Sequence, residues 1–233
     1  MGEALSISIV IPVLDEAAVL GAALEALAGA RASGAEVIVA DGGSRDGSER
    51  IAAAQGCRVV VAPRGRASQM NAGARAAGGD VLLFLHADTR LPSDALDAIR
   101  AAVGRGKAWG RFDVAIDGPG ALLAVVGFMM NLRSRSTGIA TGDQALFVRR
   151  DAFEGVGGFP AIPLMEDVAI SRALKRVGKP ACLRERVVTS GRRWERHGTL
   201  RTVLLMWRLR LAFALGADPG ALARAYEARR DPA

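Results

Sequence analysis

The sequence predicts an α/β protein: a mainly parallel sheet with helices on both faces, followed by a C-terminal amphipathic helical region. Two observations carry this. Short β-branched apolar runs alternate three times with stretches of helical spacing before residue 90, the pattern of parallel strands joined by crossover helices. Polar or acidic turns follow the runs, where such a sheet gathers its ligands. Composition agrees, since 50% of the 233 residues are hydrophobic and 24% charged, an ordinary globular balance with length for one sizeable core.

The first strand is Ile7 to Val13, β-branched and nearly continuously apolar, with Pro12 near its end as the strand leaves the sheet. From Ala17 the spacing of Val19, Leu20, Ala23, Leu24 and Leu27 predicts a helix, which Gly29 and Gly34 bracket. Glu36 to Ala40 is the next strand, followed by the turn Asp41 to Ser44 and a helical stretch from Arg45 to Ala54. A strand at Cys57 to Ala62, a helix at Ala67 to Ala77 and a strand at Val81 to Leu85 follow, ending at His86-Ala87-Asp88. The second half is less regular. Ala108 to Val114 and Ala145 to Val148 read as strands, separated by an apolar segment and the polar run Arg133 to Thr137. A helix at Val168 to Val177 follows Glu166-Asp167, and a last helical region begins near Thr199.

A net charge of +7, from 31 Lys plus Arg against 24 Asp plus Glu, favours anionic partners: phosphates, nucleic acid or an acidic membrane face. Only 5% of residues are aromatic and none interleave with basic runs, which argues against nucleic acid. Cys57 and Cys182 stand alone, so neither a disulfide framework nor a thiolate zinc site is expected. Met1 to Ser6 lacks the pattern of a secretory leader, and the longest apolar candidate, Ala121 to Met130, is too short to span a bilayer. A cytoplasmic location is the expectation.

Several motifs admit both a structural and a chemical role. Asp41-Gly42-Gly43-Ser44-Arg45-Asp46-Gly47-Ser48 suits a turn that caps the next helix. After an apolar strand it also suits a ligand turn, with Asp41 accepting from a nucleobase edge or ribose. It carries neither GxGxxG nor a Gly-Lys-Ser/Thr ending, which disfavours dehydrogenases and P-loop ATPases. Asp88 either caps the segment starting Leu91-Pro92-Ser93 or holds a divalent cation that neutralises a diphosphate, with His86 on the same side. Glu166-Asp167 either complements a helix N-terminus or supplies a general base. Arg192-Arg193-Trp194, Arg64 and Arg66 are surface charge or phosphate contacts. His197 is expected to be structural or exposed, and no Ser/His/Asp or Cys/His spacing supports a hydrolase. Thr199 to Leu215 places Leu200, Val203, Leu204, Trp207 and Leu211 on one helical face, suited to packing on the domain, to a second subunit or to an anionic membrane surface.

Taken in order, Ser8-Ile9-Val10-Ile11-Pro12-Val13-Leu14-Asp15-Glu16, Asp41 to Ser48, His86-Ala87-Asp88, Glu166-Asp167 and Arg193-Trp194 resemble the family 2 glycosyltransferases of the GT-A fold, over about Ser6 to Trp194. The resemblance implies a Rossmann-like sheet and an inverting transfer from a nucleoside-diphosphate-sugar, commonly a UDP-sugar, assisted by Mn²⁺ or Mg²⁺. It implies donor-side roles for Pro12, Glu16, Asp41, Arg66, Asn71, Ala87 and Arg193, with Asp88 and His86 at the metal. Asp167 would be the general base beside Glu166, and Trp109, Asp143, Gln144 and Trp194 would face a small-molecule or lipid-linked hydroxyl acceptor. His86 stands where the family's Asp-x-Asp motif has its first Asp, and no Gln precedes Arg193-Trp194 at the family's spacing. More narrowly, Trp109-Gly110-Arg111-Phe112, Gly138 to Gln144 and Met165-Glu166-Asp167 resemble a group of short bacterial members linked to arsenosugar biosynthesis.

The expected division is therefore a glycosyltransferase domain over 1–195, with a nucleotide-binding half at 1–90 and an acceptor half at 91–195, and a helical extension over 196–233. Peripheral contact with the inner membrane face through 199–215 and a homodimer are further partner readings. A sugar-phosphate nucleotidyltransferase would need a glycine-rich basic loop after the first strand, where this chain has the acidic Asp15-Glu16. A non-catalytic nucleotide-sugar-binding or membrane-surface adaptor would use the same turns without turnover.

Overall fold

The computed structural model describes residues 5–228, with the side chains of Arg193, Arg196 and His197 outside the described set. One eight-stranded sheet organises the chain in the order β3-β2-β1-β4-β7-β6-β8-β5. Its first half is β1 (Ile7–Val13), α1 (Ala17–Ala26), α2 (Ala28–Ala32), β2 (Glu36–Asp41), α3 (Ser48–Ala54), β3 (Arg58–Val61), α4 (Arg66–Ala76) and β4 (Val81–Phe84). β1 pairs in parallel with both β2 and β4, and β2 with β3, as alternation with crossover helices requires. The β-branched runs of β1, β2 and β4 are buried on both faces, so the two main apolar clusters divide alternate residues of the same strands, Ile9 and Ile11 on one side and Val10 on the other.

The second half is β5 (Thr89–Arg90), α5 (Ala95–Gly104), β6 (Trp109–Asp117), α6 (Ala121–Thr137), β7 (Leu146–Arg149), α7 (Arg150–Gly155), α8 (Glu166–Val177), β8 (Ala181–Ser190), α9 (Arg192–His197), α10 (Thr199–Ala214) and α11 (Pro219–Glu227). β7 is antiparallel to β4 and β6, β8 runs parallel to β6 across a bulge at Phe112/Asp113, and β5 closes the edge antiparallel to β8.

Several sequence expectations are corrected. The helix expected from Arg45 begins at Ser48, because Asp46 and Gly47 form the turn before it. The helical stretch from Ala17 divides at Leu27, and the apolar segment plus the polar run Arg133–Thr137 is one continuous helix, α6. β8 went unread because its RER stretch interrupts the apolar run, yet it is a full strand. The face of α10 carrying Leu200, Leu204, Trp207 and Leu211 does not pack on the domain, since each is at least 61% exposed. α10 docks through Leu209, joining Leu222 of α11, Val168 of α8 and Met165 just before α8 in a third cluster.

α6 is anchored to β6 by polar contacts. Asn131 accepts from the Val114 amide (2.9 Å) and donates to the Val114 carbonyl (3.0 Å), while buried Arg111 donates to Ser134 Oγ (3.0 Å) and pairs with Asp113. Both groups leave the solvent with partners in place, which limits the cost of burying them.

Candidate active site

The carboxyl ends of β1 and β2 are sewn together by the two acidic turns. The Asp15 amide donates to Ser44 Oγ (3.0 Å), the Arg45 amide to Asp15 Oδ1 (2.8 Å), the Glu16 amide to Ser48 Oγ (2.9 Å) and the Ala17 amide to Asp46 Oδ2 (2.7 Å). Asp15 takes a left-handed backbone, φ 54°, to allow this. Below the turns, buried Gln69 of α4 donates to the Val13 and Ala40 carbonyls where the two strands separate. The serines and aspartates of the glycine-rich motif thus order the rim of a strand-end depression.

A cleft lies farther along the same edge, with a volume of about 170 Å³. Its wall brings together His86 and Asp88 after β4, Asp143 in the turn before β7, Glu166 and Asp167 opening α8, and Arg66 opening α4. Met165 presents the acidic pair from a left-handed conformation, φ 69°, an uncommon geometry for a non-glycine residue and one of three among the described residues. Asp167 accepts from the Gly142 amide (3.0 Å) and the Val168 amide (2.7 Å), so its carboxylate is fixed while remaining partly open to the cleft. Glu166 is buried and pairs with Arg66 at 3.3 Å. Burial, with the Asp167 charge beside it, pushes the Glu166 carboxyl above its usual range despite Arg66. Arg66 is held above its ordinary value in turn: burial opposes its charge, but Glu166, Asp167 and Asp143 outweigh it. The His86 ring sits with Nδ1 3.6 Å from Asp143 Oδ1, and its other edge packs on Gly142, where a Cβ would come within 2.5 Å.

Other expected site residues sit elsewhere. Trp109 is fully buried and its indole donates to the Gly178 carbonyl at 2.8 Å, so it belongs to the core and not to an acceptor surface. Gln144 is also fully buried, its side chain closing the capping turn on Thr141. Asn71 clamps the Phe159 backbone in both directions (2.8 and 2.9 Å), which makes it a loop anchor. Asp41 is 2% exposed and spends its oxygens on Gly43, Ser44 and the Ser44 hydroxyl, so no nucleobase acceptor is open in this arrangement. Pro12 and Glu16 are half-buried at the end of β1, Ala87 is buried between His86 and Asp88, and exposed Arg64 lies outside the cleft wall. Trp194 lines the cleft, whereas the Arg193 side chain lies outside the described residues.

No group of three or more His, Cys, Asp or Glu side chains able to hold a metal occurs among the described residues. Of the ligands the resemblance implies, the Asp88 carboxylate and the His86 imidazole both line the cleft. Such a set fits a divalent cation only when diphosphate oxygens complete its shell.

Sequence reasoning missed several contributors, four polar ones among them. Thr189 and Ser190 end the unread strand β8, and Arg210 and Tyr226 reach the cleft from α10 and α11. The tertiary docking of the extension carried no local signal in sequence.

The family model described as glycosyl transferase family 2 matches residues 8–155. No curated protein matches the chain. Among solved structures, the mannosyltransferase PcManGT of Pyrobaculum calidifontis, in complex with GDP-Man and Mn²⁺, is similar at TM-score 0.64 and 19% identity, covering 96% of this chain and 69% of that one. Residues 1–349 of S. aureus TarS in complex with UDP-GlcNAc give TM-score 0.64 at 16% identity, over 80% of this chain and 58% of that one. Glucosyl-3-phosphoglycerate synthase of Mycobacterium tuberculosis, with Mn²⁺, UDP and glucosyl-3-phosphoglycerate, gives 0.55 at 19% identity, over 79% and 71%. The chain thus spans about 60% of the TarS fragment and somewhat more of the other two. At these identities the likeness establishes the GT-A fold, and with the family match over most of the sheet it places the chain in glycosyl transferase family 2.

Proposed function

We propose that the protein is an inverting glycosyltransferase that moves a sugar from a nucleoside-diphosphate-sugar, UDP-linked in the first instance, to an acceptor hydroxyl. The observation that carries this is the convergence of Asp88 and His86 with Glu166 and Asp167 on one cleft at the carboxyl edge of the sheet. Asp167 is the base in this reading, because it is oriented by two amides and open to the cleft, whereas Glu166 is buried against Arg66. Its carboxylate takes the acceptor's hydroxyl proton as that oxygen attacks the anomeric carbon. The bond to the diphosphate oxygen breaks on the opposite face, its electron pair leaves with the nucleoside diphosphate, and the single displacement inverts the centre. Arg66 keeps Glu166 paired, so the cleft does not carry two unopposed carboxylates. Asp88 and His86 would hold Mn²⁺ or Mg²⁺ together with the diphosphate, and a bound cation would offset charge on the leaving group. Pro12, Glu16 and Ala87 frame the donor side, and Asp143 and Trp194 the acceptor side.

The segments at Trp109, Gly138 and Met165 support grouping the chain with the arsenosugar-linked members. The exposed face of α10, with Arg201 and Arg208 exposed alongside it, supports peripheral contact with an anionic membrane. Incubating the protein with a panel of nucleotide sugars and acceptor pools, with and without Mn²⁺ or Mg²⁺, and measuring free nucleoside diphosphate tests the enzyme reading. Donor binding without turnover on any acceptor would leave a nucleotide-sugar-binding adaptor instead.

A further inference from the structure

A second cavity adjoins the cleft. It has a volume of about 320 Å³, lies between α6 and α10, and is lined largely by apolar side chains, including Leu122, Val125, Met129, Leu200 and Trp207. Met130, Asp143, Trp194, Met206 and Arg210 line both cavities, so the two meet along one wall. Arg133 lines the second cavity. Its Nε is buried and is the one buried side-chain nitrogen or oxygen among the described residues with no hydrogen-bond partner, while Nη2 makes only a long contact to Thr141 Oγ1 at 3.5 Å. Asn131, two residues earlier, is tied to the β6 backbone, so the helix cannot readily turn Arg133 out to water.

Burial, then the Arg210 guanidinium nearby, pulls Arg133 down to about 10, with Arg111 adding to the effect and Asp167 and Asp143 only partly offsetting it. A half-buried guanidinium whose Nε is buried without a partner, with a like-charged neighbour, is costly unless an anion offsets the charge. An oxyanion between the two guanidinium groups would relieve their repulsion and lie on the Asp143 and Asp167 side, near the proposed base.

We propose that Arg133 and Arg210 form an anion subsite on the acceptor side of the cleft, and that the acceptor carries a phosphate-type oxyanion held there. This rests on the glycosyl-transfer reading for the word acceptor, though the subsite itself does not. The adjoining groove gives the anion two sources: a free phosphate-type molecule, or the head group of a lipid phosphate whose chain lies along α6 and α10.

Calorimetric titration of the full chain with inorganic phosphate and with decyl phosphate, each in the presence of saturating UDP, tests the proposal. Arg133→Gln and Arg210→Gln should each weaken the phosphate probes by at least about tenfold, the loss expected for a charge-assisted contact, while UDP affinity stays within about twofold. Arg210→Gln, on a solvent-facing helix, guards against a folding defect in the α6 variant. Decyl phosphate binding more tightly than inorganic phosphate, and weakened selectively by Val125→Asn, supports the subsite with a lipid source. Equal affinities support it with a small oxyanion. Undiminished probe binding by both variants overturns the proposal, as does loss of UDP affinity with probe affinity intact, which would assign the pair to the donor diphosphate. If UDP itself does not bind, the transferase reading fails, and titration without UDP still decides the subsite.

Discussion

At the scale of single residues, the two neighbouring carboxylates opening α8 are separated by environment. Glu166 is buried with its carboxyl raised above the ordinary range by desolvation, while Asp167 is fixed by amides at the cleft surface. Asp167→Asn should therefore keep donor binding and lower turnover on the order of a hundredfold or more, read from kcat with UDP affinity as control. Undiminished turnover would move the base elsewhere. Glu166→Gln addresses the buried charge instead. A carboxyl raised in the folded state contributes stability at pH below its unfolded value, which is lost as pH rises through its folded value. The melting temperature of Glu166→Gln should accordingly gain on the parent as pH climbs from 4.5, the unperturbed value, and level off above the raised one. A difference that stays flat with pH would show that Arg66 fully offsets burial. At the donor end, Asp88→Ala should abolish the metal dependence of nucleoside diphosphate affinity, measured by titration with and without Mn²⁺. A dependence that persists would remove Asp88 from the ligand set.

At the scale of elements, legibility followed how local the physics is. β1, β2 and β4 were readable because burial on both faces makes each a continuous apolar run, and the Asp41 to Ser48 turn because its residues bond one another and the next loop. β8 was not, since half its residues face outward and Arg184, Glu185 and Arg186 interrupt the run. The acceptor-side roles that the resemblance implied for Trp109 and Gln144 failed for a related reason: a long-range partner for the indole and a local cap for the amide hold both side chains in the interior. Helix packing leaves a sharper mark. Gly73 of α4 lies so close to β1 that a Cβ would meet Val10 Cγ1 at 2.3 Å. Gly73→Ala should thus destabilise the protein by roughly 1–3 kcal/mol, the usual range for overpacking. Chemical denaturation measures it, and a neutral change would mean that α4 shifts freely on the sheet.

At the scale of the whole molecule, the extension completes the site from behind. Met165, whose left-handed backbone aims Glu166 and Asp167 into the cleft, is buried in the same cluster as Leu209 of α10 and Leu222 of α11. The conformation is unfavourable for methionine by itself, so the surrounding packing must hold it. That couples the extension to the proposed base through Met165. Leu209→Ala removes a side chain that is 3% exposed and should cost about 2–5 kcal/mol where the cluster collapses incompletely. If the extension only stabilises, kcat measured well below the melting transition should match the parent. If it holds Met165, kcat should fall at unchanged UDP affinity, because the donor-side turns Asp15 to Ser48 are tied to one another. The second outcome is expected, since the third cluster holds Met165 and Val168, the residues on either side of the acidic pair.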